Sequence, residues 1–371
     1  MAKTLRVGIL GTGRAGRCHA AAYSRLPNVE VVALWNRTVS RAEDLAATLD
    51  APNVRVYENW HDLIHTDEID VISIATSPAV RSEPFLEALS CGHHVLVEKP
   101  LAVHLPAARK MAAAAKTART VTAISFNWRY SPGCQTLWQA LQAQQIGRIL
   151  DLRFEWRLRS SSALTSWANV GGALREVCSH EFDRVRFLTG LSFESVVSHI
   201  GPPEWTPPPQ VDSTIPGDTS AFVIARLSEH TVASFRVNLT SGEPERKVVL
   251  CGDQGTLSLS SDWVTIGMEN EPTKTMTLAN EVNVFRQNAD DLAPIRLEVT
   301  SADRQPSDVP SSGQHTWNRL IADFVTAIRG NDLSHKSVPH LAHIADGLAS
   351  HEAIVACERS HAERSWVDCS S

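Results

Sequence analysis

The 371-residue chain has no apolar run approaching the roughly 20 residues that a membrane-spanning helix requires, so the sequence offers no candidate for one. It has no Cys-x-x-Cys pair: the seven cysteines, at positions 18, 91, 134, 178, 251, 357 and 369, are scattered. That dispersal argues against a disulfide frame or a zinc ribbon and fits reduced thiols in a cytoplasmic protein. There is no excess of basic charge either; a net charge of −6 is no electrostatic footprint for nucleic acid. The opening MAKTLRVGILGTG lacks the apolar core and small-residue cleavage site of a secretory signal, which again leads us to expect a cytoplasmic protein without a membrane partner. No internal repeat is present. What remains is an ordinary globular composition, 43% hydrophobic and 20% charged, in a length that suggests two domains.

The first hundred residues carry the clearest pattern. LRVGIL (5–10) is a short apolar run closed by glycine, the mark of a buried strand. GTGRAG (11–16), a helix-like RCHAAAYSRL (17–26) and a second strand, VEVVALW (29–35), follow. This is the setting in which Gly-x-Gly-x-x-Gly signals dinucleotide binding. Gly11 permits the tight turn, Gly13 leaves room for a pyrophosphate, and Gly16 lets helix and strand pack closely. The backbone of Thr12, Arg14 and Ala15 lies in the same turn, where a helix N-terminus favours an anion. Strand and helix continue to alternate through DVISIAT (70–76), PFLEALSCG (84–92) and HVLVEKP (94–100), as in an open parallel sheet. Ligands in such sheets bind beyond the carboxyl ends of the strands, so Thr76, with Pro78 after it, and Glu98 with Lys99 are expected near the cofactor.

An acid usually ends the second strand of an NAD site and binds the ribose 2′-hydroxyl. Here the strand ends Trp35-Asn36-Arg37-Thr38, with no acid to repel a 2′-phosphate. Arg37 and Thr38 suit such a phosphate, which favours NADP; the alternative is an NAD site that uses Asn36 for the hydroxyl.

GGALREVCSHEFDRVRF (171–187) sets Glu176, His180 and Asp183 at i, i+4 and i+7, one face of a helix. After about residue 124 the pattern changes. ILDLRFEWRLRS (149–160) alternates like a strand with one polar face; residues 219–239 read as a hairpin turning at Ser228-Glu229-His230, and KVVLCGDQGTLSL (247–259) as another. VTIGM (264–268) and MTLAN (276–280) add shorter strands. We therefore expect residues 1–124 to form a dinucleotide-binding α/β domain with a parallel sheet, and residues 125–371 a substrate-binding α+β domain.

GTGRAG, ATSP (75–78) and GHHVLVEKPLA (92–102) together resemble the glucose–fructose oxidoreductase/inositol dehydrogenase/rhizopine-catabolism family, most strongly at Glu98-Lys99-Pro100. The resemblance continues through NWRYSPG (127–133), GGALREVCSHEFD (171–183) and KVVLCGDQGTLSL to the final helices near 317–329 and 340–357. It implies a large, mostly antiparallel open sheet in the second domain, with the reactive helix on one face and a homodimer or homotetramer contact on the other. It implies that Lys99 contacts substrate and nicotinamide, that its bond to Pro100 is often cis, and that His180 is the acid/base. Glu176 stands where the family has aspartate, Cys178 where glycine is usual, and Ser82 where many members have histidine. Glu176 could bind a substrate hydroxyl or turn away to pair with an arginine. Asp183 could orient the imidazole or serve as a structural acid. Asn127, Arg129 and Trp167 flank the site as candidate substrate contacts, Trp167 equally as core.

A metal at Glu176/His180/Asp183 is not expected, because the family uses none. In oxidation of a secondary alcohol, His180 would accept the hydroxyl proton and Lys99 would stabilise the alkoxide. The leading expectation is an NADP- or NAD-dependent dehydrogenase or ketoreductase acting on a sugar, sugar derivative or cyclitol. The alternatives are an NAD-dependent glycoside-cleaving enzyme of the same family and a non-catalytic dinucleotide-binding regulator.

Overall fold

The computed structural model describes residues 3–49, 53–159, 171–201, 217–260, 263–268, 274–276 and 311–369. The N-terminal unit alternates β1 (Leu5–Leu10), α1 (Arg14–Tyr23), β2 (Val29–Trp35), α2 (Val39–Ala46), β3 (Arg55–Tyr57), α3 (Trp60–Ile64), β4 (Val71–Ile74), α4 (Ser82–Ser90), β5 (His94–Glu98), α5 (Leu105–Thr117) and β6 (Thr122–Ser125). All six strands pair in parallel, in the order β3-β2-β1-β4-β5-β6. β4 is buried at every position, since helices cover both faces of the sheet. Strand order reverses between β1 and β4, which opens a crevice at their carboxyl ends.

A 3-10 turn (Asn127–Tyr130) and α6 (Pro132–Gln142) lead into the second unit. Its strands are β7 (Ile149–Arg159), β8 (Ser195–Ile200), β9 (Ser220–Ser228), β10 (Thr231–Asn238), β11 (Thr240–Gly252), β12 (Gly255–Ser260), β13 (Trp263–Met268), β14 (Lys274–Met276) and the short C-terminal β15 (Val367–Asp368). Among the described residues they form a nine-stranded sheet in the order β14-β13-β12-β11-β7-β10-β9-β8-β15. Every pairing is antiparallel except β7 with β10. Both hairpins turn where the sequence predicts, at 229–230 and 253–254. Of the strand expected over 276–280, residues 277–280 lie outside the described residues.

The stretch 171–187 folds in two parts, a π turn (Ala173–Cys178) and then α7 (Ser179–Thr189). Gly171 and Gly172 precede the turn at φ +102° and +72°, and a Cβ on Gly172 would lie 2.1 Å from the Asp218 carbonyl oxygen. Leu174, Val177, Phe182 and Val185 then pack on Leu152, Phe154, Val223, Phe235 and Leu250 of the sheet. Burying side chains of this size is worth about 1.5–3 kcal/mol each, which fixes the helix against the sheet. On β9 and β10 buried positions alternate with exposed ones, so Phe222, Ile224 and Val232 face outward.

The chain then returns to the first unit. α8 (Ser311–Arg329) packs Leu320, Ile321 and Phe324 in one cluster with Ala20 and Tyr23 of α1. α9 (Ile344–Glu363) follows, and Ala342 just before it bridges to Ile124 at the end of the parallel sheet.

Candidate active site

The glycine-rich turn has the geometry a dinucleotide needs. Gly11 sits at φ +94°, and a Cβ there would press on the Ala75 carbonyl at 2.7 Å. A Cβ on Gly16 would lie 1.9 Å from the Gly11 carbonyl oxygen, whereas Gly13 faces open space. The N-terminus of α1, at Arg14 and Ala15, has no side-chain cap, so its first N–H groups remain for an anion. Among the described residues the hydroxyls of Thr12 and Thr76, at the two sides of the crevice, are buried and find no hydrogen-bond partner. Buried polar groups are nearly always paired, and these fit a cofactor bound between β1 and β4. Pro78 is buried beside Thr76.

Asn36 does not project into this space as expected. Its Oδ1 accepts from the Thr12 backbone N–H at 3.2 Å and its Nδ2 donates to the Thr38 carbonyl at 3.0 Å. It pins the glycine turn to the end of β2, and Arg37 and Thr38 are exposed beyond it.

The Glu98 carboxylate likewise turns inward, which revises its expected contact with cofactor. It lies 3.0 Å from His19 Nε2 and accepts from Trp317 Nε1 at 3.1 Å, while His19 Nδ1 reaches Ser73 Oγ at 2.8 Å. Against its burial, the hydrogen bond and charge of His19, with Ser125 and the Lys99 charge, hold the Glu98 carboxyl down at about 2. Glu98 thus ties β5 to α1 and α8 and leaves Lys99 at the strand end. The Arg81 guanidinium strengthens the same corner by donating to the carbonyls of Thr76, Glu98 and Pro100. Burial pulls Arg81 down to about 10, so it remains a cation at neutral pH. No spacing in the sequence marks Arg81 for this role; it shows only once β4 and β5 are neighbours. The Lys99–Pro100 bond is cis.

Lys99 Nζ lies 2.8 Å from Glu176 Oε1 and donates to the Glu176 carbonyl at 3.3 Å. Glu176 therefore pairs with Lys99, and the alternative of an arginine partner gives way. His180 follows one turn later, 5% exposed and stacked face to face on Trp128. Burial, with Lys99, Arg184 and Arg246 nearby, depresses the imidazole pKa well below its usual value, so the ring is neutral at pH 7.

Asp183 is not in this group. Its carboxylate accepts from Arg129 Nε at 2.9 Å and Nη2 at 2.5 Å, and Arg129 also meets Asp346 at 3.0 Å. Both carboxylates hold Arg129 as a cation. Burial lifts the Asp183 carboxyl to about 6, leaving it ionised at neutral pH. The expectation of a catalytic Asp183 and a substrate-binding Arg129 is corrected accordingly: each is spent on the other, joining α7 to the 3-10 turn and to α9. Asn127 is also buried, with Nδ2 donating to Thr316 Oγ1 at 2.8 Å. Trp167 lies outside the described residues. Among the described residues no group of three or more His, Cys, Asp or Glu side chains is arranged to hold a metal ion.

A parallel sheet with a glycine cradle, a strand-end lysine and a buried neutral histidine defines a dinucleotide-dependent oxidoreductase. Residues 5–126 match the model of the oxidoreductase family with an NAD-binding Rossmann fold, and residues 134–258 match the C-terminal domain model of the same Gfo/Idh/MocA family. The chain belongs to that family. A levoglucosan dehydrogenase from Pseudarthrobacter phenanthrenivorans is 30% identical over 203 residues, 51% of this chain and 52% of that one. A myo-inositol 2-dehydrogenase from Thermotoga maritima is 26% identical over 192 residues, 52% of this chain and 57% of its own. These alignments span about half the length of the two relatives. The structure of levoglucosan dehydrogenase in complex with NADH and levoglucosan superposes with a TM-score of 0.81 at 22% identity, over 98% of both chains. That likeness establishes the two-sheet fold.

Proposed function

We propose that this oxidoreductase transfers a hydride between a nicotinamide dinucleotide and a secondary alcohol or ketone of a sugar, sugar derivative or cyclitol. The observation that carries the reading is the contact of Lys99 with Glu176 one turn from the buried, neutral His180. Bound nicotinamide supplies the hydride acceptor or donor. Gly11, Thr12, Gly13, Arg14, Ala15 and Gly16 cradle the pyrophosphate, with Thr76 and Pro78 opposite. The Lys99 ammonium, steadied by Glu176, donates a hydrogen bond to the substrate oxygen and stabilises charge developing there. His180 accepts the hydroxyl proton during oxidation and returns it during reduction. Glu176 lies 20% exposed and has a second carboxylate oxygen for a neighbouring substrate hydroxyl.

NADP is the preferred cofactor in this reading. No acid ends β2, Asn36 is occupied in holding the turn, and Arg37 is exposed just after it, which supports its pairing with a 2′-phosphate. The outward apolar residues Phe222, Ile224 and Val232 support a homodimer or homotetramer formed through the nine-stranded sheet. The dispersed free cysteines support a cytoplasmic location.

The test is a panel of sugars, cyclitols and glycosides, including levoglucosan and myo-inositol, assayed with NAD and with NADP. Turnover of a polyol with higher kcat/KM for NADP is the expected result. Tighter binding of NAD overturns the cofactor preference. Aglycone release without net cofactor reduction overturns the dehydrogenase reading in favour of glycoside cleavage, and tight binding without any turnover overturns it in favour of a regulator.

A further inference from the structure

Three rings from three elements form a column. The His180 imidazole, from α7, lies 3.9 Å from the Trp128 ring at an interplanar angle of 10°. Trp128, from the 3-10 turn, lies 4.7 Å from Trp156 of β7 at 2°. Phe126 meets the imidazole edge-on at 6.0 Å. The Arg246 guanidinium sits 4.7 Å from both indoles and that of Arg184 sits 5.5 Å from Trp128, so the central indole is wedged in place.

A histidine base is ordinarily held by a hydrogen bond from its second nitrogen to a carboxylate or carbonyl. Among the described residues His180 Nδ1 is buried and has no hydrogen-bond partner. The nearby acids are otherwise engaged: Glu176 with Lys99, Asp183 with Arg129, and Glu181 with Arg184 at 2.7 Å. The charged groups around the ring are thus Lys99 and Glu176 from the strand end and the π turn, Arg184 and Glu181 from its own helix, and Arg246 from β11. Among the described residues none of them hydrogen-bonds to Nδ1.

We propose that Trp128 is the positioning residue of the proton-transfer site, orienting His180 by face-to-face stacking in place of the usual carboxylate. The inference rests on the reading of His180 as proton acceptor and adds a second function for the indole. When the imidazole takes a proton it becomes a cation lying on an aromatic face, an arrangement that is attractive in a desolvated site. Trp128 therefore holds the ring before the transfer and stabilises it afterwards, without touching the substrate.

Three variants test this. His180→Gln assigns the ring-proton resonances of His180 in the NADH-bound protein. In the parent those resonances are expected well upfield, displaced by the Trp128 ring current, with the displacement lost in Trp128→Leu and largely kept in Trp128→Phe. On the polyol that the parent oxidises fastest, Trp128→Leu should lower kcat by about 10- to 100-fold, as small misplacements of reacting groups do, with KM changed less than about threefold. Trp128→Phe should restore kcat to within a few-fold. A parent spectrum without the upfield displacement overturns the proposal even if Trp128→Leu fails to fold. So does unchanged kcat in Trp128→Leu. Full turnover by His180→Gln instead overturns the base reading, with the stack itself still visible in the spectrum.

Discussion

Asp183→Ala separates the two roles that a buried acid beside a reactive histidine could have. The substitution removes both carboxylate oxygens from Arg129, which are bound at 2.9 and 2.5 Å, with Arg129 and Asp183 only 5% and 2% exposed. Removing one partner of a buried ion pair costs about 3–5 kcal/mol, because the other charge stays desolvated. Asp346 remains 3.0 Å from Arg129 and compensates in part, which places the expected loss near the lower end, about 3 kcal/mol. Urea unfolding at pH 7.5 measures this as a fall in the midpoint with an unchanged slope. The folded fraction should still bind NADH, since Asp183 lies outside the nucleotide crevice, and kcat should fall by less than about tenfold. Unaltered stability together with abolished turnover would refute the structural assignment and return Asp183 to the chemistry.

Three further outcomes follow from the same geometry. His180 must be neutral to accept a proton, and its surroundings disfavour the imidazolium; kcat/KM should therefore hold steady from pH 8 down to 6.5 and decline only below that, whereas an acidic limb at pH 7 or above contradicts the environment described. Burial raises the Asp323 carboxyl to about 7 from 3.8 in the unfolded chain, so it favours folding while protonated and that contribution fades as pH rises through 7. Asp323→Asn should then gain stability over the parent between pH 4 and pH 8, with a ceiling of about 4 kcal/mol at 1.4 kcal/mol per pH unit; a difference independent of pH in thermal melts would show that Asp323 is not so perturbed. Gly16→Ala places a Cβ 1.9 Å from the Gly11 carbonyl and should weaken NADH binding by more than about tenfold by calorimetry, since the turn must open to admit it; unaltered affinity would mean that the turn is not the cradle.

Much of this fold is legible in the residues. The glycines between β1 and α1 and the apolar runs of β4 and β5 declare a parallel nucleotide-binding sheet, and the two hairpins turn at the predicted residues because their strands alternate and their turns are short. Lys99 and His180 are proposed for the site from the resemblance at the Glu-Lys-Pro strand end and the 171–183 motif. The destinations of the acids are not. Helical spacing sets Glu176, His180 and Asp183 on one face, but the π turn at 173–178 breaks the register. Tertiary partners then send the three side chains to Lys99, Trp128 and Arg129. Those partners are 52 to 77 residues away in the chain, and no local pattern marks them. Glu98 and Asn36, which the sequence puts at the cofactor, depart from that reading for the same reason. Their positions at strand ends are visible in sequence, but the His19, Trp317 and Thr12 groups that claim their side chains are not.

The central claim is that His180, beside Lys99, carries the proton in a nicotinamide-dependent oxidation. The most direct measurement is a single-turnover experiment on His180→Ala with bound cofactor and the best polyol of the panel, followed at the reduced-nicotinamide absorbance. The account predicts that cofactor affinity stays within about threefold of the parent while hydride transfer slows by about 10²- to 10⁴-fold, the usual worth of a positioned general base. Transfer at the parent rate with cofactor bound would contradict it.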